Sequence, residues 1–137
     1  MLVKMQLSLP TEARYVGMMR NVAQCVLADV GAPGQASEDV QLAVTEACAN
    51  AVRHSDVGEY VVRLQVGDCE CEIEVVDLGG GFDPGAVAAT NIVDLESGRG
   101  LLLMQALVDD LQFVSDREGT HVRLYKRWGE DALIGSY

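Results

Sequence analysis

The stretch Tyr60-Val-Val-Arg-Leu-Gln-Val66, followed after Gly67-Asp68 by Cys71-Glu-Ile-Glu-Val-Val76, decides the fold class of this chain. Both runs are rich in β-branched residues, and the Gly-Asp pair between them is typical of a tight turn. The sequence therefore predicts a β-hairpin near the middle of the chain, with Asp77 at the end of its second strand.

The residues before the hairpin predict one strand and two helices. Polar and apolar side chains alternate over residues 2–9, which is strand periodicity, and Pro10 suits an edge strand. Apolar residues then recur at helical spacing until Gly31, a residue type that ends helices. The predicted elements are an edge strand over residues 2–9, a helix from Thr11 with Thr11-Glu12 as its cap, and a helix from an N-cap at Ser37 to about His54.

The residues after the hairpin predict a further helix and two strands. These are a helix from about Gly100 to Asp109 and strands over Leu111–Ser115 and His121–Tyr125. Residues 84–97 are rich in small residues and predict a mobile flap. Clustered strands with helices between them indicate an α+β two-layer sandwich, with the helices on one face of a mixed sheet. We expect one domain over residues 1–127 and an extension over residues 128–137.

Composition limits the classes of function. A chain of 137 residues, 49% apolar and 23% charged, is typical of one ordinary globular domain, and no apolar run approaches the roughly 18 residues of a membrane span. The first residues do not resemble a secretory signal, so a cytoplasmic protein with no membrane partner is expected. A net charge of −11 argues against direct binding of nucleic acid, which requires Lys and Arg against phosphates.

The four cysteines are predicted to be free core thiols in a reducing compartment. Cys25, Cys48, Cys69 and Cys71 form no Cys-x-x-Cys pair, and the last two would lie on the same side of a strand. This spacing does not favour a zinc site.

Three groups of residues carry candidate chemistry. Glu46 and Asn50 are four positions apart and therefore share one helix face, although taken alone they also suit a solvent-facing stripe. Asp77, followed by Gly79 and Gly81, places a carboxylate before a backbone able to turn sharply, either as an acceptor for an exocyclic amine or as an ordinary turn.

The third group is the sequence Gly98-Arg99-Gly100, which is predicted to open a helix whose free N–H groups suit phosphate. Gly119-Thr120 is weaker, because a glycine between strands is usually a hairpin turn. The patterns of a P-loop, a Rossmann site and a eukaryotic-type protein kinase are absent from the sequence.

Taken in order, these segments resemble the N, G1 and G2 boxes of the histidine-kinase-like (GHKL) ATPase superfamily, whose ATP-binding fold is of the Bergerat type. The matching segments are Glu46-Ala-Cys-Ala-Asn50-Ala-Val-Arg-His54, Asp77-Leu-Gly-Gly-Gly-Phe-Asp-Pro84 and Ser97-Gly-Arg-Gly-Leu101. The small size, the short flap and His54 at the end of the N box most resemble the anti-sigma-factor serine kinases of bacteria.

The resemblance implies a role for each candidate residue. Asn50 would ligate Mg, and Glu46 would be the general base that takes the proton of a serine hydroxyl. At the base end, Asp77 would bind the adenine of ATP, with help from Gly79, Gly81 and Thr120. The residues implied at the phosphates are Gly98, Arg99, Gly100 and Leu101, with the flap over residues 84–97.

The resemblance also implies partners. These are a sigma factor, an anti-anti-sigma (STAS-domain) protein as the phosphorylated substrate, and a second copy of the chain in a homodimer through residues 3–30. Arg14 or Arg20 would contact the sigma factor, and transcription would be the regulated process. His54 and His121 are expected to be structural.

One position departs from the pattern of the branch. Some members carry an arginine just before the Ser-Gly of the G2 box, where this chain has Glu96. A carboxylate near the γ-phosphate would repel it, although Arg99 can compensate. Two alternatives to the serine kinase therefore stay open: a nucleotide-binding anti-sigma protein without kinase activity, and the detached catalytic domain of a histidine kinase.

Overall fold

The computed structural model describes residues 2–54, 58–77, 95–116 and 119–129, and these residues form a helical layer packed on one face of a sheet. The predicted α+β two-layer sandwich is confirmed. The elements are β1 (Val3–Pro10), α1 (Ala13–Asp29), α2 (Gly34–His54), β2 (Glu59–Val66), β3 (Glu70–Asp77), α3 (Leu95–Leu107), β4 (Asp110–Asp116) and β5 (Gly119–Arg127).

The sheet has the strand order β1-β2-β3-β5-β4, and each pair of neighbours is antiparallel. The expectation of a mixed sheet was therefore wrong for the described strands. Two of the four pairs, β2–β3 and β4–β5, are hairpins, and a hairpin requires antiparallel strands. The predicted central hairpin is confirmed, with Val66 opposite Cys71 and Tyr60 opposite Asp77.

Alternation along the strands gives the sheet one apolar face. Val62, Leu64, Ile73 and Val75 are at most 2% exposed and pack in the core that α1 and α2 cover. From the helices, the fully buried side chains include Met19, Leu27, Val40 and Val44. Burying each such side chain contributes about 1.5–3 kcal/mol, so this face fixes the register of the strands.

The opposite face of the sheet carries cross-strand ion pairs. Arg63 contacts Glu74 at 2.6 Å, Arg123 pairs with Glu72, and Arg127 lies 3.2 Å from Glu70. These side chains are solvent-exposed to different degrees, and ion pairs of this kind add little stability. This face is polar where these pairs lie, whereas Val61 and Val76, opposite each other on it, are 8% and 4% exposed.

Two predicted helix starts were wrong. At α1, Glu12 occupies the N-cap without a side-chain cap hydrogen bond, because its carboxylate lies 3.5 Å from the Arg14 guanidinium instead. Helix α2 begins at Gly34 and not at Ser37, whose N–H already donates to the Pro33 carbonyl at 2.9 Å. The predicted stop of α1 is confirmed, since Gly31 has a φ of +77° that side-chain-bearing residues rarely adopt.

Helix α3 also begins before its predicted start. It starts at Leu95 and not near Gly100, so residues 95–97 of the expected flap are helical, and residues 84–94 lie outside the described part of the chain. Nothing in Leu95-Glu-Ser97 opposes a helix, and an acidic residue in a first turn favours one.

All four cysteines are free, as expected. Cys48 and Cys71 are buried, and burial raises the pKa of each thiol to about 12. Cys25 is exposed on α1, and Cys69 is half-buried before the start of β3 and outside the core, so the prediction of core thiols was wrong for these two. As for membrane crossing, every helix in the described ranges is too short or too polar for it.

Trp128 extends the core past the end of β5. Its indole Nε1 donates to the Asp68 carbonyl at 3.0 Å, and its main-chain N donates to the Cys69 carbonyl at 2.7 Å. The side chain is 9% exposed and belongs to the core. Trp128 therefore joins the end of β5 to the β2–β3 turn through hydrogen bonds.

We expect Trp128→Phe to lower the free energy of unfolding by about 1–2 kcal/mol, because it removes one hydrogen bond and part of a buried ring. Urea titration followed by circular dichroism measures this, since Trp128 is the only tryptophan and fluorescence would be lost. Leu102→Ala, at a side chain 66% exposed, is the control and should change stability by less than about 0.5 kcal/mol. Equal midpoints for the two variants would contradict the role of Trp128.

Candidate functional site

Helix α2 positions the two polar residues of the predicted N box. Ala47 and Cys48 are fully buried, which fixes the rotation of the helix over the sheet. Glu46 and Asn50, one turn apart, are both half-buried on another face of the helix. The arrangement therefore holds a carboxylate and an amide side by side on a packed element.

Helix α3 approaches this pair closely. A Cβ atom built on Gly100 would lie 3.0 Å from Oε2 of Glu46, closer than nearly all real Cβ contacts. Gly100 is buried, and α2 packs against α3. The glycine therefore brings the α3 backbone against the Glu46 carboxylate, which any larger residue would displace.

The other G2-box residues sit differently from their prediction. Gly98 is the fourth residue of α3, so only its N–H lies in the first turn, and the backbone of Arg99 follows within the helix. The prediction that Gly98 opens the helix was wrong, because α3 begins at Leu95. Leu101 is half-buried and packs against the core.

The strands bring Asp77 and Thr120 together. Asp77, the last residue of β3, lies directly opposite Thr120 of β5, and the two are 2% and 8% exposed. Residues opposite each other in an antiparallel ladder point to the same side of the sheet. A buried carboxylate beside a buried hydroxyl is suited to reading a polar group of a ligand, since burial of a charge requires polar partners.

The two groups lie on the same side of the sheet. Asp77 follows Ile73 and Val75 at two-residue intervals, and those residues face the helices. Helix α2 packs on both β3 and β5, the strands that carry Asp77 and Thr120. The structure thus brings Glu46 against Gly100 and Asp77 beside Thr120, both groups on the side of the sheet that the helices cover, while Gly79 and Gly81 lie outside the described residues.

Sequence reasoning missed one residue beside this site. Tyr60 lies opposite Asp77 on β2 and is fully buried. Its pairing follows from the hairpin turn at residues 67–69, so counting outward from the turn would have found it. The histidines are separate: His54 ends α2, and His121 lies on the open face, 3.7 Å from Glu74.

Comparison with known proteins identifies the family of the chain. The model of the histidine kinase-like ATPase domain family matches residues 9–126. The chain belongs to this family. A histidine kinase-like ATPase domain is a nucleotide-binding domain, which fits the polar groups gathered between α2, α3 and β3.

Within the histidine kinase-like ATPase family, the curated relatives include bacterial serine-protein kinases. RsbW of Bacillus pumilus is 34% identical over 152 residues, covering 96% of this chain and 93% of the relative. RsbW of Bacillus subtilis is 32% identical over 150 residues, with the same coverage of 96% and 93%. The resemblance to the serine-kinase branch is therefore confirmed.

A solved structure has the same fold. It contains the RsbU and RsbW domains of a Mycobacterium tuberculosis protein and superposes with a TM-score of 0.72 at 21% identity. The match covers 92% of this chain and 32% of that one, so this chain corresponds to about a third of the solved polypeptide.

Proposed function

We propose that this chain is an ATP-dependent serine-protein kinase and anti-sigma factor. It phosphorylates a serine of an anti-anti-sigma protein of the STAS type and sequesters a sigma factor. The observation that carries the proposal is the Glu46 carboxylate, held on α2 one turn from Asn50 and against the Gly100 backbone. The serine-protein kinase relatives, similar over nearly the whole chain, support the same activity.

The residues present fit a magnesium–nucleotide complex. Asn50 offers an amide oxygen on the same helix face as a carboxylate, and magnesium typically takes few protein ligands beside phosphate and water. Bound there, magnesium supplies charge neutralisation at the transferring phosphate. Asn50 is the residue that would hold it.

At the base end, the buried Asp77 carboxylate accepts a hydrogen bond from the exocyclic amine of adenine. Thr120, opposite it on β5, supports the base, together with Gly79 and Gly81. Because the carboxylate is only 2% exposed, water competes little with the base. Guanine has an oxygen acceptor where adenine has its exocyclic amine, so a buried carboxylate favours adenine.

At the phosphate end, the first turns of α3 are proposed to lie against the phosphates. The proposed flap is then limited to residues 84–94, which lie outside the described part of the chain. The positive end of the helix dipole and the free N–H groups of the first turn favour the anion, with Gly98, Arg99, Gly100 and Leu101 following in the same helix. The sequence has Glu96 in this turn, and a carboxylate there would repel the γ-phosphate.

In the transfer step, Glu46 takes the proton of the substrate serine hydroxyl while the serine oxygen forms a bond to the γ-phosphorus. The bond from that phosphorus to the bridging oxygen breaks, and ADP leaves with the electron pair. Phosphoryl transfer relies mainly on positioning and electrostatics, so one base on a rigid helix suffices.

The proposed partners act in the cytoplasm as regulators of transcription, and the chain binds neither nucleic acid directly nor a membrane. A homodimer forms through residues 3–30, and Arg14 or Arg20 contacts the sigma factor. Arg20 is the better placed, since its Nε lies 3.5 Å from the buried Gln41 amide oxygen, whereas Arg14 is occupied by Glu12 and lies over the Tyr15 ring. An arginine steadied in this way loses less entropy on binding.

The test is phosphate transfer from Mg-ATP labelled at the γ-phosphate to candidate anti-anti-sigma proteins, with mass spectrometry to locate the phosphate. Nucleotide binding is measured in the same samples. We expect label on a serine of one candidate. Binding without transfer would favour a nucleotide-gated sequestering protein, which Glu96 motivates, and absence of binding would overturn the proposal. Label on a histidine would favour the alternative of a detached histidine-kinase domain.

Gly100→Ala is expected to slow phosphate transfer about tenfold or more while leaving the fold intact. The added methyl would displace the Glu46 carboxylate, and small misplacements of catalytic groups cost large factors in rate. Replacing a helical glycine by alanine favours the helix by about 0.5–1 kcal/mol, so the melting temperature should not fall. Gly34→Ala, at the first residue of α2, is the control, because nothing lies within 4 Å of its Cβ position. Equal transfer rates for both variants would argue against a catalytic Glu46.

A further inference from the structure

Tyr60 occupies a place in the sheet that the proposed roles do not use. It is the largest fully buried side chain and lies directly opposite Asp77, which in turn lies opposite Thr120. The three residues therefore form one row across β2, β3 and β5, and all three point to the side that the helices cover.

The Tyr60 hydroxyl is poorly satisfied within the fold. Its Oη atom is buried and makes no hydrogen bond of good geometry to the described part of the chain. The polar group that acts on it is the Cys48 thiol, a weak donor and a weak acceptor. Burial raises the pKa of Tyr60, so the hydroxyl stays protonated and able to donate. A phenylalanine would fill the same space without the cost of desolvating a hydroxyl.

The hydroxyl also lies below the functional part of α2. Cys48 is two residues from both Glu46 and Asn50 and faces the sheet, where it meets Tyr60. Tyr60 therefore belongs to the same row as the Asp77 carboxylate, and its hydroxyl reaches Cys48 in the helical turn that holds the Glu46–Asn50 pair. A ligand bound between the layers would meet this hydroxyl from the same side.

We infer that Tyr60 belongs to the base end of the nucleotide site, where its hydroxyl hydrogen-bonds the bound purine directly or through one ordered water. The inference rests on the proposed nucleotide binding and adds a residue to it. The hydroxyl then gains in the complex a hydrogen-bond partner of better geometry than the described residues give it, which offsets its desolvation cost when nucleotide is bound.

The test compares Tyr60→Phe with wild type by calorimetric titration with Mg-ATP and with ADP. We expect the dissociation constant of Tyr60→Phe to rise about 5- to 10-fold for both nucleotides, which corresponds to one lost hydrogen bond. The melting temperature of the unliganded variant should equal or exceed that of wild type, because a poorly satisfied buried hydroxyl is removed. A residue with a structural role alone would show the opposite pattern.

Tyr125→Phe is the matched control. It makes the same chemical change on the open face, where the Tyr125 hydroxyl donates to Glu70, and it should leave nucleotide affinity unchanged. If wild type binds nucleotide and Tyr60→Phe binds it equally well, the inference fails while the proposed function stands. If the unliganded Tyr60→Phe protein melts several degrees lower, the hydroxyl has its partner within the fold, and the inference fails too. If wild type itself does not bind nucleotide, the proposed function fails first.

Discussion

Glu46→Gln is expected to slow phosphate transfer to the substrate serine by about 10²- to 10⁴-fold, which is the usual contribution of a general base. The amide keeps the size of the carboxylate beside Gly100 and loses only its capacity to accept a proton. Affinity for Mg-ATP should stay within about threefold of wild type. Single-turnover transfer at saturating nucleotide measures the rate, and titration calorimetry measures the affinity.

Glu38→Gln is the control for removing one negative charge from α2. Glu38 lies two turns before Glu46 on the same helix and is exposed, so its replacement should affect neither rate nor affinity. A Glu46→Gln protein with the wild-type transfer rate would remove Glu46 as the base. The nucleotide-gated sequestering protein would then be the better account of the site.

Asp77→Asn is expected to weaken nucleotide binding about 10- to 100-fold. A hydrogen bond to a charged acceptor contributes about 1.5–3 kcal/mol, and its loss raises the dissociation constant for the nucleotide. The carboxylate is 2% exposed, so water cannot replace it. The amide of the variant also brings a donor toward the exocyclic amine of adenine, and direct titration with ATP and GTP should show that the preference for adenine falls.

Asp110→Asn gives the comparison for Asp77, since Asp110 is exposed at the start of the edge strand β4. It should bind nucleotide like wild type. Unchanged ATP affinity in Asp77→Asn would show that β3 does not carry the base-reading group, and would place the base elsewhere between the layers.

Local sequence signals predicted the elements that depend on interactions between residues close together in the sequence. The Gly-Asp turn placed the hairpin, and Gly31 placed the end of α1, because both act through the backbone of a few residues. The starts of α2 and α3 were missed, since Pro33 already accepts a helical hydrogen bond from Ser37, and residues 95–97 were assigned to the flap. The antiparallel pairing of all the described strands was missed too, because strand order and direction depend on contacts between residues far apart in the sequence.

For the candidate site, the spacing of Glu46 and Asn50 predicted their shared helix face. The contact between Gly100 and Glu46 was not predictable. The two residues are 54 positions apart, and the contact depends on how the helices that carry them pack. Tyr60 was missed for a different reason. In one strand it resembles a core aromatic residue, and only the register with Asp77 shows that its hydroxyl lies in a polar row.

Among the described elements, the proposed base and the base-reading carboxylate both lie on the central one of their layer. Helix α2 has α1 and α3 as neighbours, and β3 has β2 and β5. Backbone amides of such elements exchange with solvent only when the whole domain opens, whereas edge strands and helix ends open on their own. On heating, nucleotide binding and the fold should therefore be lost together. A regulator that blocks such a site would do so by covering it. Unfolding the site locally would require the free energy of unfolding of the entire domain.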